Sequence, residues 1–335
     1  MATTLPTYTR TVDQAFVSTW YDIKAMAVDN ILKANVITAA LRDLGCFTPQ
    51  VGGEYITETV AYGTKASTAV GKGDVLPSGE NELDTMARWT WRYSVSHIQR
   101  SLFDDQKNSG PTRIKSLVKR KTQAARQALE QQIELDFLRD CRATESTGKY
   151  PQSLRDIVPT GVAAPVTSYV SYGAIPRPAL MSAAGVVSGA NSWWSPNYKI
   201  WTDPQEVNMV TDMSNMYNTC SKGLESPKLI LTDKPQLIKD EATNLANLGY
   251  EVLRYKGKPM VWSESMGESG YGTALDMLFL NTDYIKVVYD PNLWFDMSEF
   301  KAMPKQAERL AHIFVAWNVV SSQLRRHGLI ATAVN

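Results

Sequence analysis

The sequence predicts an α+β chain, and three observations predict it. In RWTWRYSV, Arg88 to Val95, the residues Trp89, Trp91, Tyr93 and Val95 fall on every second position with Arg88, Thr90, Arg92 and Ser94 between them. That is the period of a half-buried strand. After Gly110-Pro111, Ile114, Leu117, Val118, Ala125, Ala128, Leu129, Leu135 and Leu138 recur at helical spacing through about Cys141. From 200 to 290, the short β-rich segments KLILT, EVLRY, PMVW, ALDMLFLN and DYIKVVYD alternate with two helical stretches. At 335 residues the chain has room for two lobes and a sizeable core.

Taken in order, residues 11 to 45 read as helical. Phe16 and Trp20 are four apart, and Ile31, Leu32, Val36, Leu41 and Leu44 continue an apolar side, with Asn35 as a cap and Gly45 as a left-handed terminator. GGEYITETVAY follows as a strand. Gly63 to Thr85 is too long for a tight hairpin, and loops of that length carry function or disorder. The strand before it and the aromatic strand from Met86 to about Ile98 are expected to pair, with Glu54 and Glu58 near Arg88 and Arg92. A stripe of three aromatics beside a long polar loop belongs either to an ordinary core or to a tongue lying on a neighbour.

The long helix spans about 45 Å at about 1.5 Å per residue. Its charge is uneven: Arg113, Lys115, Lys119, Arg120, Lys121 and Arg126 load the first half, and Glu130, Glu134 and Asp136 the second. The helix dipole favours the opposite order. Ala143 to about Pro196 is rich in Gly, Ala, Pro, Ser and Val and holds the pair Trp193-Trp194. Asp203-Pro204-Gln205-Glu206 is a helix start, with Val207, Val210, Met213, Met216, Tyr217 and Cys220 as its apolar face. Asp233 to Leu248 reads as a further helix, and 307 to 327 as a long strand returning to the first lobe.

The search for chemistry finds no catalytic constellation. Thirty-five basic and 34 acidic residues leave a net charge of +1, which argues against a chain whose main work is gripping nucleic acid. Cys46, Cys141 and Cys220 share no CxxC spacing and read as buried, reduced thiols. His97, His312 and His327 show no metal-ligand spacing, and His97 reads as a packed or interface histidine. No GxSxG elbow is present, and GTKAS at 63 to 67 lacks the first glycine of a phosphate loop. No signal peptide or bilayer-length apolar run is apparent, so a chain made and kept in a cytoplasm, with no membrane partner, is expected. No cofactor and no metal are implied. The basic helix face is either a solvated surface or a sequence-blind contact with phosphate, and without interleaved aromatics it is unsuited to stacking single strands.

The order of these parts resembles the major capsid protein of tailed double-stranded-DNA bacteriophages, the Hong Kong 97 phage capsid fold, over nearly the whole chain. GGEYITETVAYGTKASTAVGKGDVLPSGENELDTMARWTWRYSV resembles its extended loop, and PTRIKSLVKRKTQAARQALEQQIELDFL its spine helix. LRDIVPTG and NSWWSPNYK resemble the passage into its axial domain. YEVLRYKGKPMVW, MLFLNTDYIKVVYD and QLRRHGLI resemble its second half.

The resemblance implies an N-terminal arm at 1–50, an extended loop at 51–100, a peripheral domain with the spine helix at 101–150, an axial domain at 151–295, and a return to the peripheral domain at 296–335. It implies self-assembly into hexamers and pentamers of an icosahedral shell around double-stranded DNA, with no enzymatic activity. Tyr55, Lys65, Lys72, Arg88, Trp89, Trp91, Arg92 and Tyr93 would lie on a neighbouring subunit. Arg113, Lys115, Lys119, Arg120, Lys121 and Arg126 would face the packaged DNA without sequence preference. Portal and scaffolding proteins are expected partners, decoration proteins are allowed, and the location is the virion after assembly in a bacterial cytoplasm. The arm begins almost at Met1, which implies a separate scaffolding protein or none. Lys65 and Lys72 lie where some relatives cross-link, but no cross-link is predicted. Two alternatives stay open: an encapsulin-like protein compartment, and a soluble enzyme with a mobile lid at 63–85.

Overall fold

A computed structural model of the chain describes residues 35–63, 69–74, 83–101, 103, 111–139, 149–158, 171–177, 180–181, 187–188, 191–200, 209–232, 254–263, 266, 276–304 and 306–331. The expected helix at 233–248, the helix start at 203–206, Cys141 and the arm before Asn35 lie outside these residues.

The chain enters at helix α1 (Val36–Asp43), which buries Ile37, Thr38 and Leu41. Asn35 takes the extended N-cap conformation, although its side chain makes no capping bond. Gly45 adopts φ +72°, and the Gly45 and Cys46 amides close back on the Arg42 and Leu41 carbonyls at 2.9 and 3.0 Å. This left-handed stop is the one the glycine predicts.

A five-stranded sheet is built on two long strands, β14 (Ile285–Met297) and β16 (Glu308–Ser321). β1 (Phe47–Pro49) runs parallel to β14, and the short β15 (Lys301–Ala302) extends the β14 side of β16. β4 (Arg92–Ser101) pairs antiparallel along the other side of β16, from Glu308↔Ser101 to Trp317↔Arg92. The long helix α2 (Pro111–Leu138) packs on β4. Ala125, Leu129, Ile133 and Phe137, four apart, are all buried, and the Phe137 ring meets Trp317 at 5.0 Å. Burial of each of the larger side chains stabilises by about 1.5–3 kcal/mol.

The second lobe is a six-stranded mixed sheet in the order β11 (Arg254–Tyr255), β12 (Lys258–Trp262), β10 (Leu229–Thr232), β13 (Met277–Leu280), β17 (Gly328–Ala331) and β9 (Asn197–Ile200). β10, β13 and β17 are buried at every residue, as strands covered on both faces must be. Helix α4 (Met209–Cys220) lies on β17 at Gly328, where a Cβ would meet the Cys220 sulfur at 2.7 Å. Between α2 and this sheet come the one-turn helix α3 (Leu154–Ile157) and two small hairpins, β5 (Ser171–Tyr172) with β6 (Ile175–Pro176), and β7 (Leu180–Met181) with β8 (Val187–Ser188).

After the long excursion from β4 to β9, two short passages join the sheets. β13 leads into β14 through a turn of 3-10 helix at Thr282–Tyr284, and β16 leads into β17 through another at Leu324–Arg326. The long returning strand is therefore present as β16, but the residues after it re-enter the six-stranded sheet. His327 ties the two passages together. Its Nδ1 accepts from the Asn281 amide at 3.2 Å, and its Nε2 lies 3.1 Å from Ser321 Oγ. An accepting Nδ1 leaves the proton on Nε2 for the Ser321 hydroxyl.

Candidate assembly interface

The extended two-stranded ribbon is formed by β2 (Tyr55–Ala61) and β3 (Asp84–Thr90), antiparallel, in the register Tyr55↔Thr90, Thr57↔Arg88, Thr59↔Met86 and Ala61↔Asp84. These four pairs share the outward face. The inward face carries Ile56↔Trp89, Glu58↔Ala87 and Val60↔Thr85. A two-stranded ribbon alone is marginal in water, and this one leans on its own chain. The Arg88 amide donates to the Gly173 carbonyl at 2.9 Å, Tyr62 stacks on Trp193 at 4.7 Å, and Lys286 pairs with Glu58 at 2.6 Å. Glu58 thus meets a lysine of β14; the expected partners Arg88 and Arg92 lie opposite Thr57 and Trp317 instead.

The expectation of one continuous aromatic stripe is corrected. Trp89 is 3% exposed and packs edge-on to Tyr172 at 5.5 Å, against the turn at Gly173. Gly173 has φ +59°, and a Cβ there would meet the Trp89 ring at 2.6 Å. Tyr93 and Val95, by contrast, are 56% and 48% exposed, while Ser94, Ser96, Ile98 and Arg100 turn inward. The strand changes partner at Trp91, from β2 to β16, and the parity of its faces inverts there. A one-residue slip moves every following side chain to the other face. Asn318 spans the break: its Nδ2 donates to the Thr90 carbonyl at 2.8 Å, and its Oδ1 accepts from the Gln152 amide at 2.7 Å. Trp91 is half-buried and donates its indole N–H to the Gly53 carbonyl at 2.8 Å.

The inward serines of β4 build a polar seam under α2. Trp317 Nε1 donates to Ser94 Oγ at 3.0 Å, and Ser94 Oγ donates to Asp136 Oδ2 at 3.3 Å. Gln132 donates to Asp136 Oδ1 at 2.6 Å, and the Arg139 guanidinium stands 3.4 Å away. Burial pushes the Asp136 carboxyl up to about 6, against the pull of Arg139, Gln132 and Ser94. Burial alone pushes the His327 imidazole down to about 3.

Of the residues expected at a subunit contact, the structure thus leaves Tyr55, Arg88 and Tyr93 on the outside, holds Trp91 and Arg92 half-buried, and encloses Trp89. Lys72 is exposed, and Lys65 lies outside the described residues. Met86 and Val95, 54% and 48% exposed, join the outward set; Val95 belongs to the stripe read from the sequence, whereas Met86 was not singled out. The even spacing of Met86 from Arg88 is the signal that places it. Of the basic residues on α2, Lys121 is engaged at home, donating to the Gln99 carbonyl at 2.7 Å, and Arg126 is half-buried. The side chains of Arg113, Lys115, Lys119 and Arg120 lie outside the described residues.

Among the described residues, none of these features gathers catalytic groups. A groove of about 390 Å³ lies between α2 and the strand β4, lined by residues 95–99 of β4 and by Lys121, Ala125 and Leu129 of α2 among others, with no paired carboxylates. No group of three His, Cys, Asp or Glu residues suited to a metal occurs among the described residues. No described helix is long and apolar enough to cross a membrane. Cys46 and Cys220 are buried free thiols, each pushed up to about 12 chiefly by burial.

No protein-family model and no curated protein matches the sequence. Solved structures do match in fold. The capsid of cyanophage A-1(L) aligns with 90% of this chain and 93% of its own, at TM-score 0.58 and 13% identity. The capsid of a native GTA particle aligns with 88% of this chain and 90% of its own, at TM-score 0.57 and 12% identity. A Gordonia phage Cozz structure aligns with 90% and 87%, at TM-score 0.52 and 12% identity. An encapsulin from Synechococcus elongatus also aligns, at TM-score 0.46, a likeness too loose to weigh for either kind of shell. The likeness covers nearly the whole of this chain and of each matched chain, and the chain has the fold of the bacteriophage major capsid proteins.

Proposed function

We propose that this chain is a shell subunit that assembles with copies of itself into the hexamers and pentamers of an icosahedral capsid around double-stranded DNA. The observation that carries the reading is the end-to-end likeness in fold to phage capsid chains. The outward face of the ribbon and of β4 supports it. Tyr55, Met86, Tyr93 and Val95 stand exposed beside Arg88, a mix of aromatic, Met and Arg that suits the centre of a protein interface. In this reading the ribbon lies across the adjacent copy with its Tyr55–Met86 face down, while Trp89 anchors its root at home. The segments read as arm, extended loop, peripheral domain and axial domain keep the bounds given above as part of the proposal.

The first half of α2 faces the packaged DNA in this reading. Its role there is counter-charge, since phosphate contact needs positive charge and no base recognition. Arg113, Lys115, Lys119, Arg120 and Arg126 carry that role, with Lys121 divided between it and the Gln99 carbonyl. Portal and scaffolding proteins complete the assembly, decoration proteins are compatible with it, and the particle assembles in the cytoplasm of a bacterium. The subunit itself performs no catalysis.

Negative-stain microscopy of the purified chain tests the proposal, with nuclease treatment before extraction of the contents. Closed particles that protect DNA are the expected result. Closed particles that hold only protein would move the reading to a compartment shell. A stable monomer that never closes, with or without co-expressed assembly factors, would overturn both.

A further inference from the structure

His97 and His312 stand directly opposite each other in the β4–β16 ladder. The far side of β16 shows which kind of pair they form. The His312 carbonyl accepts from the Ser298 amide at 2.8 Å, and the His312 amide donates to Ser298 Oγ at 2.9 Å. Both backbone groups of His312 therefore point away from β4. In a strand the N–H and C=O of one residue lie on the same side, so His97 and His312 form a non-hydrogen-bonded pair. Such pairs have Cα atoms about 4.5 Å apart and the closer side chains. Ser96 and Ile98 turn inward beside His97, and Ser96 Oγ donates to the Ala125 carbonyl of α2, so the two imidazoles share the face that α2 leaves uncovered. His97 is exposed and His312 half-buried.

We infer that the His97–His312 pair is a two-point binding site for a divalent transition-metal ion of the zinc, nickel and copper class. Imidazole nitrogens suit these ions, whereas magnesium and calcium prefer oxygen. Metal–nitrogen bonds of about 2.0–2.1 Å bring two ring nitrogens to roughly 3 Å from each other, within reach of side chains so placed. Of their neighbours along β4 and β16, Val95, Leu310 and Phe314 carry no ligand atoms, and the Phe314 ring lies 5.9 Å from that of His312; on β14, Asp296 stands opposite Phe314. Gln99 is occupied, its amide donating to Glu308. Two protein ligands leave the other coordination positions to water. The bound ion clips β4 to β16 beside Tyr93 and Val95. The third histidine, His327, is fully buried and held by Asn281 and Ser321, so it does not compete.

Calorimetric titration of the full chain with nickel chloride, and with magnesium chloride as the contrast, tests the site. Saturable uptake of nickel by the wild-type chain, and none of magnesium, is expected. H97Q and H312Q should each weaken nickel binding at least about ten-fold, because each removes one of two protein ligands. Nickel should raise the melting temperature of the wild-type chain and leave that of H97Q unchanged. If H312Q lowers the metal-free melting temperature, H97Q decides alone, since the exposed His97 ring supports little packing. Equal nickel binding by the wild-type chain and the H97Q/H312Q double variant would overturn the inference. So would retention of full affinity in H97Q, or the absence of saturable uptake below about 1 mM, which is weaker than a specific site of this kind.

Discussion

At neutral pH His327 joins the two inter-sheet passages as an uncharged ring, accepting from Asn281 and donating to Ser321. Its pKa, about 3 in the folded chain against about 6.5 when unfolded, means that the unfolded chain binds the extra proton between those values. His327 therefore supports the fold fully above about pH 6.5 and loses that contribution as the pH falls toward 3. Asp136 acts in the opposite sense. Raised from 3.8 to about 6, it is protonated more readily in the folded chain, so its support is complete below pH 3.8 and is lost as the pH rises through 6. D136N, which keeps the shape without the charge, should match the wild-type chain at pH 4 and exceed it at pH 8 by on the order of 3 kcal/mol in chemical denaturation. H327Q should flatten the acid-side loss. Equal slopes for wild type and H327Q between pH 4 and 6.5 would count against the neutral ring. Neither role is legible in the sequence, because Ser94, Asn281 and Ser321 are brought in by the fold, and only Gln132 and Arg139 stand near Asp136 along the chain. The S-x-x-D signal at Ser153–Asp156 is local and readable, and there both capping bonds form, at 3.1 and 2.8 Å.

The ribbon and β4 show what alternation can and cannot give at the scale of an element. The period of two identifies a strand, and the helical period of Leu117, Val118, Ala125, Ala128 and Leu129 identifies α2 with its start at Pro111. The partner change at Trp91 is invisible to periodicity, since RWTWRYSV alternates without a fault while the structure inverts its faces. The consequence separates two residues that the sequence treats alike. W89A should cost about 3–5 kcal/mol in the unfolding of the isolated subunit, the range for a large buried aromatic. Y93A should change it by no more than about 0.5 kcal/mol and should instead slow or weaken particle formation. Thermal melts and light scattering on the two variants distinguish the roles; a large stability loss in Y93A with normal assembly would reverse the assignment. The tip is separable from the root. Tyr62 stacks on Trp193, and the Tyr62 and Gly63 amides both bond to the Leu83 carbonyl at 3.0 Å. Replacing 64–82 by a short glycine linker, with Tyr62 and Leu83 kept, should leave a folded chain that fails to form normal shells.

For the whole molecule, the order of parts was readable while the wiring between them was not. Helix, ribbon, long helix, mixed sheet and long strand follow one another along the chain, but the strand expected from DYIKVVYD in the second lobe instead forms β14 of the five-stranded sheet. The placement of β17 in the middle of the six-stranded sheet, next to β9 and β13, depends on pairings between distant segments that no local pattern encodes. The same holds for Arg155 and Asp276, a fully enclosed ion pair between α3 and the approach to β13. Removing either partner should destabilise by about 3–5 kcal/mol, because the other charge is left buried alone; melts of R155M set against the R155M/D276L double variant measure this, the double losing less. Tyr55, Met86, Tyr93 and Val95 are among the large apolar side chains that the isolated chain leaves exposed. Sedimentation velocity of the full chain tests their burial by other copies. The expected result is a sharp, fast boundary of closed particles that Y93A diminishes, and a single slow species at the 37.3 kDa monomer mass across all concentrations would contradict it.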